Sequence, residues 1–330
     1  MRGGNGILTF RSHLVKLCVQ VLGRVRLVDP PRRGRPYTYP TTVILKCCLV
    51  MVYHRLTSLR SLERFLHQHP EVAHACGVGD RIPSYRTCCR RFHTLEVPAW
   101  QAARQLIGTL ARRRWLRWSL LVIDGSLLAA HGRPPRLKPH ARPATDPDAS
   151  WGYSPSDGWV WGYRLHGIIS TGSATAPVAW RTTTATGHET RQVAPLLQQT
   201  PRWRGQRRGW LVGDGTYDSE QVVALAARKR RRVVAAMYIR RWGKAAMSPT
   251  RKHRWRFVHS AVGKRLLRRR TAIERDWSQL KHVFLVDPLP VTRLPRVQVY
   301  VSLVMVAYLA AIAYNGSMRR RLRAIKSLIA

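Results

Sequence analysis

Apolar residues recur at three- and four-residue intervals through the first third of the chain, and then the rhythm changes. TTVILKCCLVMVYHRL, SLRSLERFLHQHPEVA and WQAARQLIGTLARRRW carry the helical period, so each predicts a helix with one face against a core. Between the last two lies IPSYRTCCRRFHTL, where Pro83 and Ser84 give a helix start. The helix that follows carries Arg86, Arg90 and Arg91, with Arg86 and Arg90 four apart on one face. A short basic helix after a turn suits a DNA groove; the same residues also suit the solvated face of a helical bundle.

From residue 119 the apolar runs become continuous and end at glycines. SLLVIDGSLLAA, YRLHGIISTG and APVAWRTTTATG predict three strands, TRQVAPLLQQ a short helix and GWLVGDG a fourth strand. A helix is expected from Asp218, whose spacing to Gln221 fits a capping box. RRVVAAMYI predicts a fifth strand, followed by a long basic helix over 265–284. The order β-β-β-α-β-α-β-α is that of an α/β unit. Residues 131–160 form a long loop, a length usually tied to function or disorder. Its Trp151, Trp159 and Trp161 are suited either to stacking on an unpaired base or to covering the sheet. The stretch 297–315 is apolar enough to approach the ~18-residue threshold of a membrane span. Gln298, Ser302 and three tyrosines interrupt it, so a buried C-terminal helix and no membrane are expected. The expected division is a helical unit over 1–118, an α/β unit over 119–318 and a basic tail over 319–330.

Charge narrows the partner. The 330 residues include 58 Lys and Arg against 16 Asp and Glu, a formal net charge of +42. Such a field predicts a polyanion, nucleic acid first, although base composition of the genome also raises arginine. A hydrophobic content of 45% with 12 Trp excludes a mere basic tail. Cys18, Cys47, Cys48, Cys76, Cys88 and Cys89 form no C-x-x-C pair. They read as reduced, small apolar residues of a cytoplasmic protein. The N-terminal MRGGNGILTFRSHLVK lacks a signal-peptide pattern.

The scarcity of acids makes their placement informative. Asp124 and Asp214 each close an apolar strand and precede a glycine. Asp-Gly is also a turn signal. If the two strands are neighbours, the carboxylates emerge side by side and repel, and each is pushed toward protonation. A hard divalent cation, Mg²⁺ or Mn²⁺, removes that conflict. From Gln221 to Ile273 there are 17 Lys or Arg and no acid, and then comes Glu274. Arg270, Glu274, Trp277 and Lys281 share one helix face, where a carboxylate among cations suits a metal-bound phosphodiester. Glu274 also has a plain partner in Arg270, four residues back.

Taken in order, LVIDGS, GYRLHGI, TATGHET, LVGDGTYDS and RRRTAIERDWSQLK resemble an insertion-sequence transposase of the DDE type. The resemblance covers 119 to about 315. The family's third-acid signature is Tyr, two residues, Arg, three residues, Glu, six residues, Lys. Arg270, Glu274 and Lys281 match it, with Leu267 at the tyrosine position. The resemblance implies a ribonuclease-H-like mixed sheet flanked by helices as the catalytic domain over 119–318, behind a mainly helical N-terminal domain for DNA-end binding and/or dimerisation. It implies that Asp124, Asp214 and Glu274 hold two Mg²⁺ or Mn²⁺ ions. The implied activity is cleavage at the element's terminal inverted repeats and transfer of the freed 3′-hydroxyl to target DNA, by a homodimer on DNA in a prokaryotic cytoplasm. Arg270, Lys281, Trp277, Arg86, Arg90 and Arg91 are the expected DNA contacts. His188 and Glu189 in TGHET lie near a strand end within reach of the site, though a structural role is the expectation for them, and His166 is expected to be a packed strand residue. The competing function is a catalytically silent DNA-binding protein or repressor; a nuclease without strand transfer shares the site.

Overall fold

A computed structural model describes residues 4–329, apart from 30, 32–33, 136–143, 156, 202–207, 238–246 and 285–286. The N-terminal third is helical: α1 (Gly4–Gln20), α2 (Thr41–Tyr53), α3 (Leu59–Gln68), α4 (Pro70–Cys76), α5 (Tyr85–Phe92) and α6 (Glu96–Arg112). Serine caps fix two of the starts, Ser58 accepting from the Ser61 amide and Ser84 from the Thr87 amide. SLRSLERFLHQHPEVA forms two helices, because Pro70 opens a new first turn. Five of the six cysteines are buried and all are unpaired.

The rest is built on one sheet. Its elements are β1 (Leu120–Ala129), β2 (Ser150–Ser154), β3 (Gly158–Thr171), β4 (Thr175–Thr184), α7 (Glu189–Gln199), β5 (Gly209–Gly213), α8 (Glu220–Arg228) and β6 (Arg231–Ala235). Four helices follow: α9 (Pro249–His259), α10 (Ala261–Leu267), α11 (Thr271–Val283) and α12 (Leu294–Ser317). β1 lies at the centre, antiparallel to β3 on one side and parallel to β5 on the other, and β6 runs parallel to β5. The far edge of β3 takes β2 near its start and β4 along the remainder. Helices cover the sheet. The fold is a mixed α/β arrangement, a central mixed sheet flanked by helices, with a helical N-terminal region.

The apolar C-terminal stretch is α12, and 94% of its most hydrophobic window is buried inside the protein. It packs on α6, α2 and β4, so the helical third and the sheet share one core. Its polar interruptions have partners: Ser302 accepts from the Trp180 indole at 3.1 Å, Gln298 donates to the Thr182 carbonyl at 3.2 Å, and Tyr308 donates to Asp276 at 3.1 Å. The acids of the long loop hold the helix start. Asp148 accepts the Leu294 amide and Asp146 the Arg293 amide, and Asp146 also takes the Tyr163 hydroxyl.

Four local expectations need correction. The helix after β5 begins at Glu220, capped by Ser219. Asp218 instead pairs with Arg251 and Arg254, tying α9 to the sheet. The long basic helix is divided, because a 3₁₀ turn over Arg268–Arg270 separates α10 from α11. Part of the 131–160 loop is strand β2, hairpinned onto β3, while 136–143 lies outside the described residues. The fifth strand is Arg231–Ala235, and Tyr238 and Ile239 also lie outside the described residues. Within 319–330, Ile325 and Leu328 are buried.

Candidate active site

Strand register sets the first two carboxylates. Val122 of β1 pairs with Val212 of β5, the last pairing between the two strands. Asp124 and Asp214 therefore stand at the same level, each two residues further on. There the strands part. Asp214 caps a 3₁₀ turn by accepting from the Thr216 amide at 2.9 Å, while β1 continues beside β3 to Ala129. The edge of β1 beyond Val122 thus has no strand on the β5 side, and the notch collects acids.

The third acid in the notch is Glu189, in the first turn of α7. Carboxylate oxygens of Asp124, Glu189 and Asp214 all lie within 4.8 Å of one another. Gly125 makes this possible: a Cβ there would sit 2.9 Å from Glu189 Oε1. Arg164 of β3 ion-pairs with Glu189 and orients it. Burial, with the Glu189 and Asp214 charges, pushes the Asp124 carboxyl up to about 7. Tyr217 is buried beside the three acids, and the same causes raise its phenol, keeping it neutral. Three hard oxygen donors this close, with mutual repulsion to relieve, fit a divalent cation.

Glu274 forms the opposite wall. It lies in the first turn of α11 and faces the same cavity of about 570 Å³. It stands apart from the three-acid group, its carboxylate 3.1 Å from the Arg270 guanidinium. Trp277 docks the helix. Gly167 pairs with Asp124, and a Cβ on it would meet the Trp277 ring at 2.5 Å.

Two family descriptions match the sequence. "Transposase DDE domain" covers residues 118–310 and "Transposase domain (DUF772)" covers 16–94. The chain belongs to the DDE transposases. No curated protein matches it. Among solved structures it is similar to the piggyBac transposase synaptic complex with hairpin DNA, at 9% identity and a TM-score of 0.43, over 98% of this chain and 78% of that one. It is similar to the Mos1 transposase paired-end complex with left transposon end at 10% identity and a TM-score of 0.21, over 78% and 82%. Similarity to the Mos1 mariner paired-end complex with Mn has a TM-score of 0.22 at 10% identity, over 82% and 96%.

The transposase distributes the expected DNA contacts unevenly. Arg86 and Arg90 are exposed on α5. Arg91 instead turns inward, because it occupies the core-facing side of that helix. Its guanidinium lies 3.7 Å from the Tyr37 ring centre and donates to the Tyr39 carbonyl and Thr41 hydroxyl. Trp277 is likewise only 4% exposed and packs on the sheet. Lys281 lies between Asp157 and Asp287, at 3.6 and 3.7 Å. His166 is buried on a bond to Thr183, and burial pushes it down to about 3, so it is neutral.

Composition did not single out Glu189 among the acids. The available signals were its place at a helix start directly after a strand, where the helix dipole favours a carboxylate, and the Gly125 opposite it. The loop tryptophans of the transposase are also ordered. Trp151 pairs across the hairpin with Trp161, and Tyr153 with Trp159, all four on one face. Trp159 is 69% exposed and Tyr153 56%, and Tyr153 lines the acidic cavity.

Proposed function

We propose that this transposase cuts a phosphodiester at its element's inverted ends and joins the freed 3′-hydroxyl to target DNA in the cavity between β1 and α11. The observation that carries the reading is electrostatic. In a chain of net charge +42, this cavity gathers five carboxylates (Asp124, Asp157, Glu189, Asp214 and Glu274) against Arg164, Arg270 and Lys281. A phosphate enters such a place only with added positive charge. Asp124, Asp214 and Glu189, with Glu274 from the opposite wall, would hold Mg²⁺ or Mn²⁺, two ions in all. Bound there, the ions supply an activated water and neutralise the oxygen that leaves.

The protein's own groups do the rest. Asp124 gives up its proton as a ligand. Glu274, drawn inward, releases Arg270 to meet a phosphate oxygen. Arg164 keeps Glu189 aimed into the notch. Exposed Arg86 and Arg90 contact the DNA backbone, and the exposed aromatic hairpin offers π-faces to bases beside the cut. The working unit is a homodimer on DNA in a prokaryotic cytoplasm. A silent DNA-binding protein has no use for carboxylates that repel phosphate. The test is nicking of DNA carrying the element's own ends, which requires Mg²⁺ or Mn²⁺, with Ca²⁺ supporting binding but little cleavage. Cleavage in EDTA contradicts the proposal.

A further inference from the structure

A second cavity, of about 720 Å³, lies between the end of α1, the C-terminal half of α6 and the end of α12. Arg24, Arg104, Arg112, Arg113 and Arg319 line it, and among the described residues no acid does. All five are exposed. Arg112 bonds only to Thr109 of its own helix, and among the described residues no ion pair engages any of the five.

Its walls are fixed rather than loose. The Gln105 side chain accepts from the Arg26 amide at 2.9 Å and donates to the Arg26 carbonyl at 2.6 Å, holding the segment after α1 against α6. Trp115 closes the floor so tightly on α12 that a Cβ on Gly316 would sit 1.9 Å from its ring. Arg319 stands just past α12 at φ 53°, a conformation glycine takes with less strain.

Such a groove suits the phosphate backbone of DNA: several guanidiniums, no competing carboxylate and rigid walls. It opens at the end of the sheet away from the acids. The Trp115 carbonyl receives the Ala174 amide at the β3–β4 turn, whereas Asp124 lies opposite Gly167. At about 3.3 Å per strand residue the four steps from Gly167 to Thr171 alone span about 13 Å, or about four base-pair steps at 3.4 Å each. DNA seated here is not the scissile segment.

We propose that this arginine groove is a second DNA-backbone site, which holds either the continuation of the bound end or a separate duplex during joining. The inference rests on the transposase reading above. It is tested by replacing Arg24, Arg104 and Arg319 with Gln and measuring affinity for random duplex against salt, in EDTA and without cleavage. On a duplex of about 40 base pairs the slope of log affinity on log salt should become less negative by about 2.7, or about 0.9 per phosphate contact. A control with Arg64, Arg81 and Arg256 replaced by Gln should move it by less than about 1. If the triple variant unfolds early, Arg104→Gln alone should shift the slope by about 0.9.

A bridging assay with two differently labelled duplexes separates the sources. Loss of bridging in the variant assigns the groove to a separate duplex. Intact bridging, with weakened binding to about 40 but not about 12 base pairs, assigns it to the same duplex. An unchanged slope, or one changed equally by the control, overturns the proposal. Because no cleavage is read, failure here is distinct from failure of the metal-dependent nicking test.

Discussion

The cavity of this transposase has two walls made by different means. On the β1 side, Asp124 and Asp214 are placed by backbone register, since the Val122–Val212 pairing fixes their level, and Glu189 enters over a glycine. On the α11 side, Glu274 is placed by packing: Trp277 rests on Gly167, and the carboxylate remains tied to Arg270. In the proposed reading the strand wall is a preformed ligand set, and the helix wall holds its ligand in reserve, paired with the residue that the substrate should claim.

The comparison is strained most by removing charge from the strand wall. Asp124→Asn and Asp214→Asn keep side-chain shape and should each lower cleavage about a thousandfold, roughly 4 kcal/mol of transition-state stabilisation. Binding of end DNA in a gel-shift assay should be kept or slightly tightened. Activity within tenfold of wild type at either position would dissolve the strand wall as a ligand set.

Glu189→Gln and Glu274→Gln set the walls against each other. Both should cut cleavage about a hundredfold or more. Only Glu189→Gln should abolish the rise in Tm that Mn²⁺ gives the DNA-free protein, because Glu274 is outside the preformed group. A Tm response lost in Glu274→Gln and kept in Glu189→Gln would reverse the two roles.

Gly125→Ala is a smaller intervention. The added methyl meets the far end of Glu189, so the carboxylate moves while the backbone stays. Cleavage should fall about tenfold, with far-UV circular dichroism unchanged. Asp218→Asn should have the least effect. Asp218 pairs with Arg251 and Arg254 outside the cavity, so nicking should remain within a few-fold of wild type, and a dead variant would mean that α9 positions the site.

Much of this was legible in the chain for physical reasons. Apolar strands that end in Asp-Gly announce themselves in an acid-poor sequence, and the family's order of segments places them in one sheet. α12 was legible because Gln298, Ser302 and the tyrosines need polar partners that a bilayer lacks. What escaped depends on packing. No spacing rule shows that Gly125 leaves room for Glu189, or that Arg91 faces Tyr37 while Arg86 and Arg90 face out. The division between α10 and α11 was hidden because a 3₁₀ turn keeps nearly the same side-chain period as a helix. Asp218 has the capping-box spacing, but Arg251 and Arg254 engage it, and the neighbouring Ser219 caps α8 instead.

The central claim is that the strand wall is a divalent-cation site before DNA arrives. Its most direct test is Mn²⁺ binding to the DNA-free protein by calorimetry across pH. Asp124 is raised to about 7 by burial and by its two acidic neighbours, so the proton competes with the metal below that value. Affinity should climb toward a limit of about tenfold per pH unit below pH 7 and level off above it. Heats measured in buffers of different ionisation enthalpy should show a proton released at pH 6 and almost none at pH 8. For the same reason, the metal-free protein should lose stability from this group as pH rises from about 4 through 7, because the folded state keeps the carboxyl protonated while the unfolded chain ionises it. Mn²⁺ should restore it. An affinity independent of pH between 5 and 8, or no Mn²⁺ binding in the absence of DNA, would contradict the account.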